Sequence, residues 1–243
     1  MPEGPSLVIA QKAMIDFKGK IVKQINGYGA DDVKHLAGKK LTDIKTWGKH
    51  LLLCFGKKTI RVHLMLFGKY RVNSSAKVNA KLHLGFANNQ EINFYVADIK
   101  FFDEPLDEIY DWSTDVMSKK FDPKVVKAKL KKIGDTLITD ALMDQHIFTG
   151  VGNIIKNEVM WRVRVHPKNK IENIPARKLS ALIKDCTTYS YEFLEQRQAG
   201  TLSKNWKAYK QEVCERCSSK LKHEIVGKTK RQTFYCNNCQ ERY

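Results

Sequence analysis

Two cysteine pairs restrict the fold of this chain more tightly than anything else in its sequence. Cys214-Glu215-Arg216-Cys217 and Cys236-Asn237-Asn238-Cys239 repeat one C-x2-C spacing on either side of residues 218–235. Two such pairs close a tetrahedral four-thiolate site, which zinc fills as a structural ion. The segment between them must therefore double back. Residues 220–225 and 232–235 read as two strands with a turn near Gly227, a β-hairpin. His223 lies inside that hairpin and reads as a surface residue rather than a fifth ligand. The other two cysteines, Cys54 in an apolar run and Cys186 on a helix face, read as buried thiols. In a reducing compartment the pattern means metal binding, not disulfides.

The hairpin tip carries Lys228, Lys230 and Arg231, and residues 204–210 interleave lysines with Trp206 and Tyr209. These agree with the whole chain, where 43 Lys+Arg face 26 Asp+Glu for a net charge of +17. Such an excess calls for a polyanionic partner, nucleic acid before an anionic membrane. No apolar run approaches a membrane span, and no basic-then-apolar leader opens the chain, so a cytoplasmic, nucleoid-associated protein with no membrane partner is expected.

The 243 residues suffice for one large domain or two ordinary ones. Leu7, Ala10, Met14 and Phe17 recur at helical spacing over 6–17, and Gly19 ends the run. From 21 to 96 the pattern is mostly strand. Ile60, Val62, Leu64 and Leu66 alternate with Arg61, His63 and Met65. Phe55-Gly56-Lys57-Lys58 and Ala87-Asn88-Asn89-Gln90 read as hairpin turns. Short strands at this spacing imply an antiparallel sandwich or barrel. Helical patterns follow over 123–130, 136–146, 153–163 and 178–194. The expected organisation is an α+β chain: 1–112 a helix plus β-sandwich domain, 113–123 a linker, 124–205 a helical domain, and 206–243 the zinc hairpin.

Several stretches can carry chemistry. Met1-Pro2-Glu3-Gly4-Pro5-Ser6 exposes a secondary amine at Pro2 if Met1 is removed. An amine of this kind can attack an electrophilic sugar carbon and form an iminium, with Glu3 beside it for proton transfer. The plainer reading is a turn before a helix. Lys49, in Gly48-Lys49-His50, can reach a phosphate or simply be solvated. Met65-Leu66-Phe67 can be core or can wedge into a base stack. Thr149-Gly150-Val151-Gly152-Asn153 enters a helix and offers a phosphate seat, or is an ordinary corner between helices.

Taken together, the order of Pro2-Glu3-Gly4-Pro5, Gly48-Lys49-His50-Leu51-Leu52, His63-Leu64-Met65-Leu66, Thr149-Gly150-Val151-Gly152-Asn153-Ile154, Val165-His166-Pro167 and Arg231-Gln232-Thr233-Phe234-Tyr235-Cys236 resembles the formamidopyrimidine-DNA glycosylase / endonuclease VIII family. The resemblance runs from end to end. It implies a catalytic N-terminal helix on a β-sandwich, a helix–two-turn–helix module and a zinc hairpin finger. It implies a monomeric, bifunctional DNA glycosylase/AP lyase acting on damaged double-stranded DNA, with structural Zn2+ on Cys214, Cys217, Cys236 and Cys239. Pro2 then matches the nucleophile and Glu3 the acid/base. Lys49, His63, Asn153 and Arg231 match positions that grip phosphates around an extruded nucleotide; Lys49 and Arg231 are also assigned catalytic proton-donor roles. Met65, Leu66 and Phe67 match the residues that fill the vacated stack.

The triplet is similar to the single-loop plug of the endonuclease VIII branch, with Met65 in place of a polar residue. The double arginine of the guanine-lesion branch is missing from Asp98-Ile99-Lys100-Phe101-Phe102. Oxidised pyrimidines and ring-opened purines are therefore expected ahead of 8-oxoguanine. Ser6 stands where many bacterial members have Glu, which implies altered tuning. Two rivals remain at this level: a non-catalytic zinc protein that binds damaged DNA, and a zinc-ribbon RNA-binding factor, which leaves Pro2-Glu3 unexplained.

Overall fold

Glu3 caps the first helix. Its backbone N–H donates to Ser6 Oγ at 3.4 Å, and Pro5 sits in the first turn, where a missing N–H is harmless. This helix, α1 (Gly4–Met14), continues through a 3-10 turn to Phe17. The stripe of Leu7, Ala10, Met14 and Phe17 is buried, each large side chain contributing about 1.5–3 kcal/mol of transfer free energy. The computed structural model describes residues 2–243 and divides into two units, Met1–Tyr110 and Asp111–Tyr243.

In the first unit α1 packs on β2 (Asp43–Trp47), β3 (His50–Phe55) and β4 (Lys58–Val72). With β1 (Gln24–Asn26), β5 (Leu82–Gly85) and β6 (Glu91–Phe102), these form one antiparallel sheet in the order β1-β5-β6-β4-β3-β2. The two layers expected of a sandwich are thus halves of a continuous sheet. Ile25, Leu82 and Leu84 from one end share a core with Ile44, Leu51 and Leu53 from the other. The long central pair β4–β6 spans both halves, and its register breaks between Leu64 and Lys69. Both predicted hairpin turns form. Phe55 pairs with Lys58 across the first. In the second, Asn88 and Asn89 take left-handed φ of 56° and 54°, which Asn tolerates. A short helix, α2 (Leu106–Ile109), follows β6.

The second unit begins earlier than the sequence suggests. Residues 113–123, expected as a linker, are built into it: Val116 lies in its core, its N–H donates to Thr149 O at 3.1 Å, and Thr114 Oγ1 lies 2.8 Å from Thr149 Oγ1. Helix α3 (Pro123–Lys131) starts at Asp122, whose carboxylate accepts from Lys124 N–H at 2.8 Å. The helix expected over 136–146 shrinks to α4 (Ile138–Ala141). Beyond it the Asp144 side chain accepts from His146 N–H at 2.8 Å, and Gln145 donates to Met143 O and Val151 O. These side chains compete with the helical ladder. Helices α5 (Asn153–Arg162) and α6 (Ala176–Gln198) pack together and complete this core. The hairpin forms as expected, β7 (Lys222–Ile225) pairing with β8 (Gln232–Tyr235). Trp161, Ala208, Leu221, Cys214 and Cys236 make a small separate core beside it. Among the described residues, no helix is long and apolar enough to cross a membrane.

Candidate functional site

Each unit carries part of the expected constellation. In the first, Pro2 is half-buried and Glu3 is 1% exposed at the head of α1. Met1, whose removal would free the Pro2 amine, lies outside the described residues. Lys49 sits in the tight turn between Trp47 and His50, which pair with each other. His50 pairs across to His63, and His63 to Asp98. The His50 and His63 rings meet edge to face at 5.2 Å, with Trp47 and Tyr110 against His50 at 5.5 and 5.8 Å. Arg61 forms an ion pair with Asp98.

Burial, then the charges of Arg61, His63, Lys100 and Lys49, push the His50 imidazole down to about 3. His63 is held below its ordinary value by burial first and by Arg61 and Lys49 next. Both rings are therefore neutral near pH 7, and the fixed charges around them are mainly cationic. A site of this kind favours an incoming anion.

Met65, Leu66 and Phe67 lie within β4 but have no partner in the β4–β6 ladder. Leu66, expected on the buried face with Ile60, Val62 and Leu64, is exposed, because the register break in β4 ends the alternation at Leu64. The triplet projects with exposures of 47, 50 and 75%, so it is not core.

In the second unit, Asn153 opens α5. Its amide nitrogen donates to Gln232 O at 3.1 Å, and its Oδ1 is buried with no hydrogen-bond partner. The preceding turn is a poorer phosphate seat than its glycines suggest: Gly150 N–H donates to Gln145 Oε1 and Val151 N–H to Phe148 O. Arg231 is exposed immediately before β8. Its position is fixed from α5. Lys156 Nζ donates to Thr233 Oγ1 at 3.0 Å, Thr233 Oγ1 donates to Arg231 O at 3.3 Å, and Asn157 Oδ1 accepts from Phe234 N–H at 2.8 Å. At the tip, Asp140 accepts from Lys228 and Thr229 N–H at 3.0 and 3.1 Å. Gly227 has φ +81°, a left-handed conformation that favours glycine, and a Cβ there would also lie 2.4 Å from that carboxylate.

The four sulfur atoms of Cys214, Cys217, Cys236 and Cys239 lie within 4.8 Å of one another. Cys214–Cys239 and Cys217–Cys236 are 3.9 and 3.5 Å apart, close to the ~3.8 Å edge of a tetrahedron with ~2.3 Å metal–sulfur bonds. The donor set therefore fits a tetrahedral ion. Trp161 Nε1–H donates to Cys214 Sγ at 3.5 Å, and Arg216 stacks 3.6 Å over the Trp161 ring while bonding Trp161 O. His223, as expected, is no ligand: its Nε2 donates to Gln211 O at 2.8 Å.

Residues 1–103 match the family Formamidopyrimidine-DNA glycosylase N-terminal domain, and residues 113–204 match Formamidopyrimidine-DNA glycosylase H2TH domain. The chain belongs to the formamidopyrimidine-DNA glycosylase / endonuclease VIII family. It is 29% identical over 230 residues to Endonuclease 8-like 3 of Xenopus laevis, covering 87% of this chain and 36% of that protein. The chain thus spans about a third of the vertebrate relatives it matches. It is 27% identical to Formamidopyrimidine-DNA glycosylase of Lactobacillus helveticus over the full length of both. In fold it is similar to a viral DNA glycosylase (TM-score 0.85, 22% identity, covering 98% of this chain and 100% of that one). It is equally similar to a Lactococcus lactis formamidopyrimidine-DNA glycosylase bound to DNA containing an AP site (TM-score 0.85, 21% identity, 99% and 100% covered).

Sequence reasoning passed over several members of this constellation. His50 was visible only as a neighbour of Lys49, and Arg61 only through sharing the polar face of β4 with His63. Lys156, Asn157 and Glu158, buried at 0, 0 and 1% exposure, had no sequence signal, because their partners lie far along the chain.

Proposed function

We propose that this protein is a bifunctional DNA glycosylase and AP lyase that removes oxidised bases from double-stranded DNA as a monomer. The observation that carries the reading is the coincidence of both family domains with Pro2-Glu3 at the head of a helix docked on β2 and β3, whose turn bears Lys49, and on β4, which bears His63. In this mechanism the Pro2 nitrogen, freed of Met1, attacks C1′ of the extruded nucleotide. The bond from C1′ to the base breaks and the base leaves with a proton. Glu3 protonates the sugar ring oxygen, the ring opens and an iminium forms. Loss of the acidified C2′ proton expels the 3′ phosphate (β-elimination), and a second elimination expels the 5′ phosphate. Lys49, His63, Asn153 and Arg231 hold the flanking phosphates, Lys49 and Arg231 also assisting proton transfer. Met65, Leu66 and Phe67 occupy the vacated stack, offsetting the few kcal/mol that flipping costs.

The cysteine cluster holds Zn2+, whose part is to fix the ribbon that presents Arg231. The preferred lesions are oxidised pyrimidines and ring-opened purines. The vertebrate relatives named Endonuclease 8-like 3 support this choice. So does the absence of paired arginines from 98–102, a stretch contained in β6 with no loop for reading the opposite base.

Borohydride trapping tests the proposal. Protein whose N-terminus is confirmed by mass spectrometry is mixed with duplexes carrying an abasic site, thymine glycol or 8-oxoguanine, then reduced. A covalent adduct that disappears in Pro2→Gly, with DNA binding retained, is the expected result. No adduct with any duplex despite tight binding refutes the enzyme in favour of a damage-binding protein. Fastest cleavage of 8-oxoguanine opposite cytosine refutes the lesion class alone.

A further inference from the structure

The break in the β4–β6 ladder is unusually large. Leu64 pairs with Ala97 and Lys69 with Tyr95, so residues 65–68 stand opposite Val96 alone. An ordinary bulge sets two residues against one. Here four residues of β4 stand unpaired across a single partner position, with the ladder intact on both sides. Two backbone features make this closure possible. Val96 adopts φ +51°, a left-handed conformation that a β-branched residue rarely takes. Its side chain is 50% exposed, so burial does not explain the strain. Across from it, a Cβ on Gly68 would lie 2.8 Å from Met65 N, 2.8 Å from Val96 O and 2.9 Å from Leu64 Cα. All three are backbone atoms with no room to yield, so only glycine lets the loop close this tightly.

The residues expelled are Met65, Leu66 and Phe67. Apolar side chains on a slack loop would fold back onto the sheet. These stay exposed because both ends of their loop are clamped. Strain that burial leaves unexplained, located directly beneath a projecting functional segment, marks a positioning device.

We infer that Val96 and Gly68 form a backbone brace that presets Met65–Phe67 for insertion into duplex DNA, and so set the preference for paired over single-stranded lesions. This deepens the proposed function and rests on it for the identity of the target. The brace acts through backbone geometry: at Val96 the left-handed conformation matters and the side chain does not. Neither residue contacts the reacting atoms. Both are positioning residues, and their effect is confined to steps in which a base stack is opened. A single-stranded lesion has no stack to open and does not need the wedge.

The test uses the full chain and two variants, Gly68→Ala, which crowds the closure, and Val96→Gly, which keeps a left-handed backbone without strain. Insertion is read without catalysis, from the fluorescence of 2-aminopurine placed beside an abasic-site analogue in a duplex, which rises as stacking is lost. Adduct formation on duplex and single-stranded abasic DNA is measured in parallel, with thermal unfolding as a check on folding. Gly68→Ala should cut the fluorescence rise and lower the duplex-to-single-strand ratio at least about tenfold, the scale of lost stacking compensation. Val96→Gly should keep both within about twofold of wild type. The inference is overturned if Gly68→Ala folds and leaves both readouts unchanged, or if Val96→Gly loses as much as Gly68→Ala. If Gly68→Ala does not fold, a loss of insertion in Val96→Gly alone still overturns it, and retained insertion there supports it. Absence of adduct from wild type with an intact fluorescence rise rejects the catalytic reading and leaves the brace standing.

Discussion

His50 gives the first unit a defined weakness in acid. Its imidazole is packed against Trp47, His63 and Tyr110, and its Nδ1 is buried with no hydrogen-bond partner. Arg61, His63, Lys100 and Lys49 bear on it, and every one of those charges opposes protonation. The folded value is about 3 against an ordinary 6.5. The unfolded chain therefore binds the proton more readily. His50's contribution is complete above pH 6.5 and drains away as pH falls from 6.5 toward 3. At pH 5, 1.5 units below the unfolded value, the loss is about 2 kcal/mol at 1.36 kcal/mol per unit. His63, also held down, adds to it in the same direction.

The perturbation is His50→Phe, which keeps an aromatic ring among its neighbours and removes the titrating group. Urea unfolding, followed between pH 8 and pH 5, reads the difference. Carboxylates weaken both proteins in acid, so the informative quantity is the gap between the two curves. It should change by about 2 kcal/mol in favour of the variant over that interval, or roughly 4–8 °C in Tm for a chain of this size. At pH 8 the two should lie within about 1 kcal/mol. Parallel curves would show that the ring is protonated in the folded state without penalty, and the argument from burial and surrounding cations would be wrong.

Three further outcomes follow from the second unit. Removing the metal with a chelator, or substituting Cys239→Ser, should abolish hydrogen-exchange protection in β7 and β8 and weaken DNA binding; a protected hairpin after complete removal refutes a structural ion. Glu158 accepts from Lys207, Ala208 and Tyr209 N–H at 2.8–3.1 Å, and burial raises its carboxyl above the usual range despite those bonds. Glu158→Gln should cost about 1–3 kcal/mol and speed exchange at 207–209, and unchanged exchange there refutes the assignment. Asp140→Ala should free the tip amides of Lys228 and Thr229, lowering DNA affinity several-fold with a Tm change of only a few degrees; an affinity equal to wild type would mean the tip needs no tether.

What was legible in the sequence was local. Cysteine spacing announced the hairpin because ligand geometry is set within a few residues. The stripe of α1 was legible because its period is that of a helix on a core. The alternation of β4 read correctly through Leu64 and failed at Leu66, since a bulge resets the period and leaves only Gly68 as a trace. Residues 113–123 read as a linker because they are polar; their place in the core depends on Val116 and a Thr114–Thr149 contact between distant segments. The short α4 looked longer because its apolar residues keep helical spacing, while Asp144 and Gln145 spend their side chains on the backbone. The four cysteines and Pro2-Glu3 were legible as chemistry from residue type and spacing, the grip of Lys49, His63, Asn153 and Arg231 around an extruded nucleotide only by resemblance, and their supporting shell not at all.

That supporting shell explains why a helix in which half the residues are polar is almost wholly buried. In α5, Asn153, Lys156, Asn157 and Glu158 are buried among apolar residues, and each would cost several kcal/mol if left unpaired. Their partners are supplied by the C-terminal segment: Gln232, Thr233 and Phe234 on β8, and the amides of 207–209. Two four-residue strands are marginal alone, so the dependence runs both ways. The hairpin needs α5 to hold its register, and α5 needs the hairpin to satisfy its polar face. Trp161, at the far end of the helix, bonds a cysteine of the cluster. One helix thus reaches from Asn153, through the strand that begins beside Arg231, to the metal ligands. An ion bound by the four cysteines would steady the same strand, since Cys236 directly follows Tyr235, and with it the arginine that precedes β8.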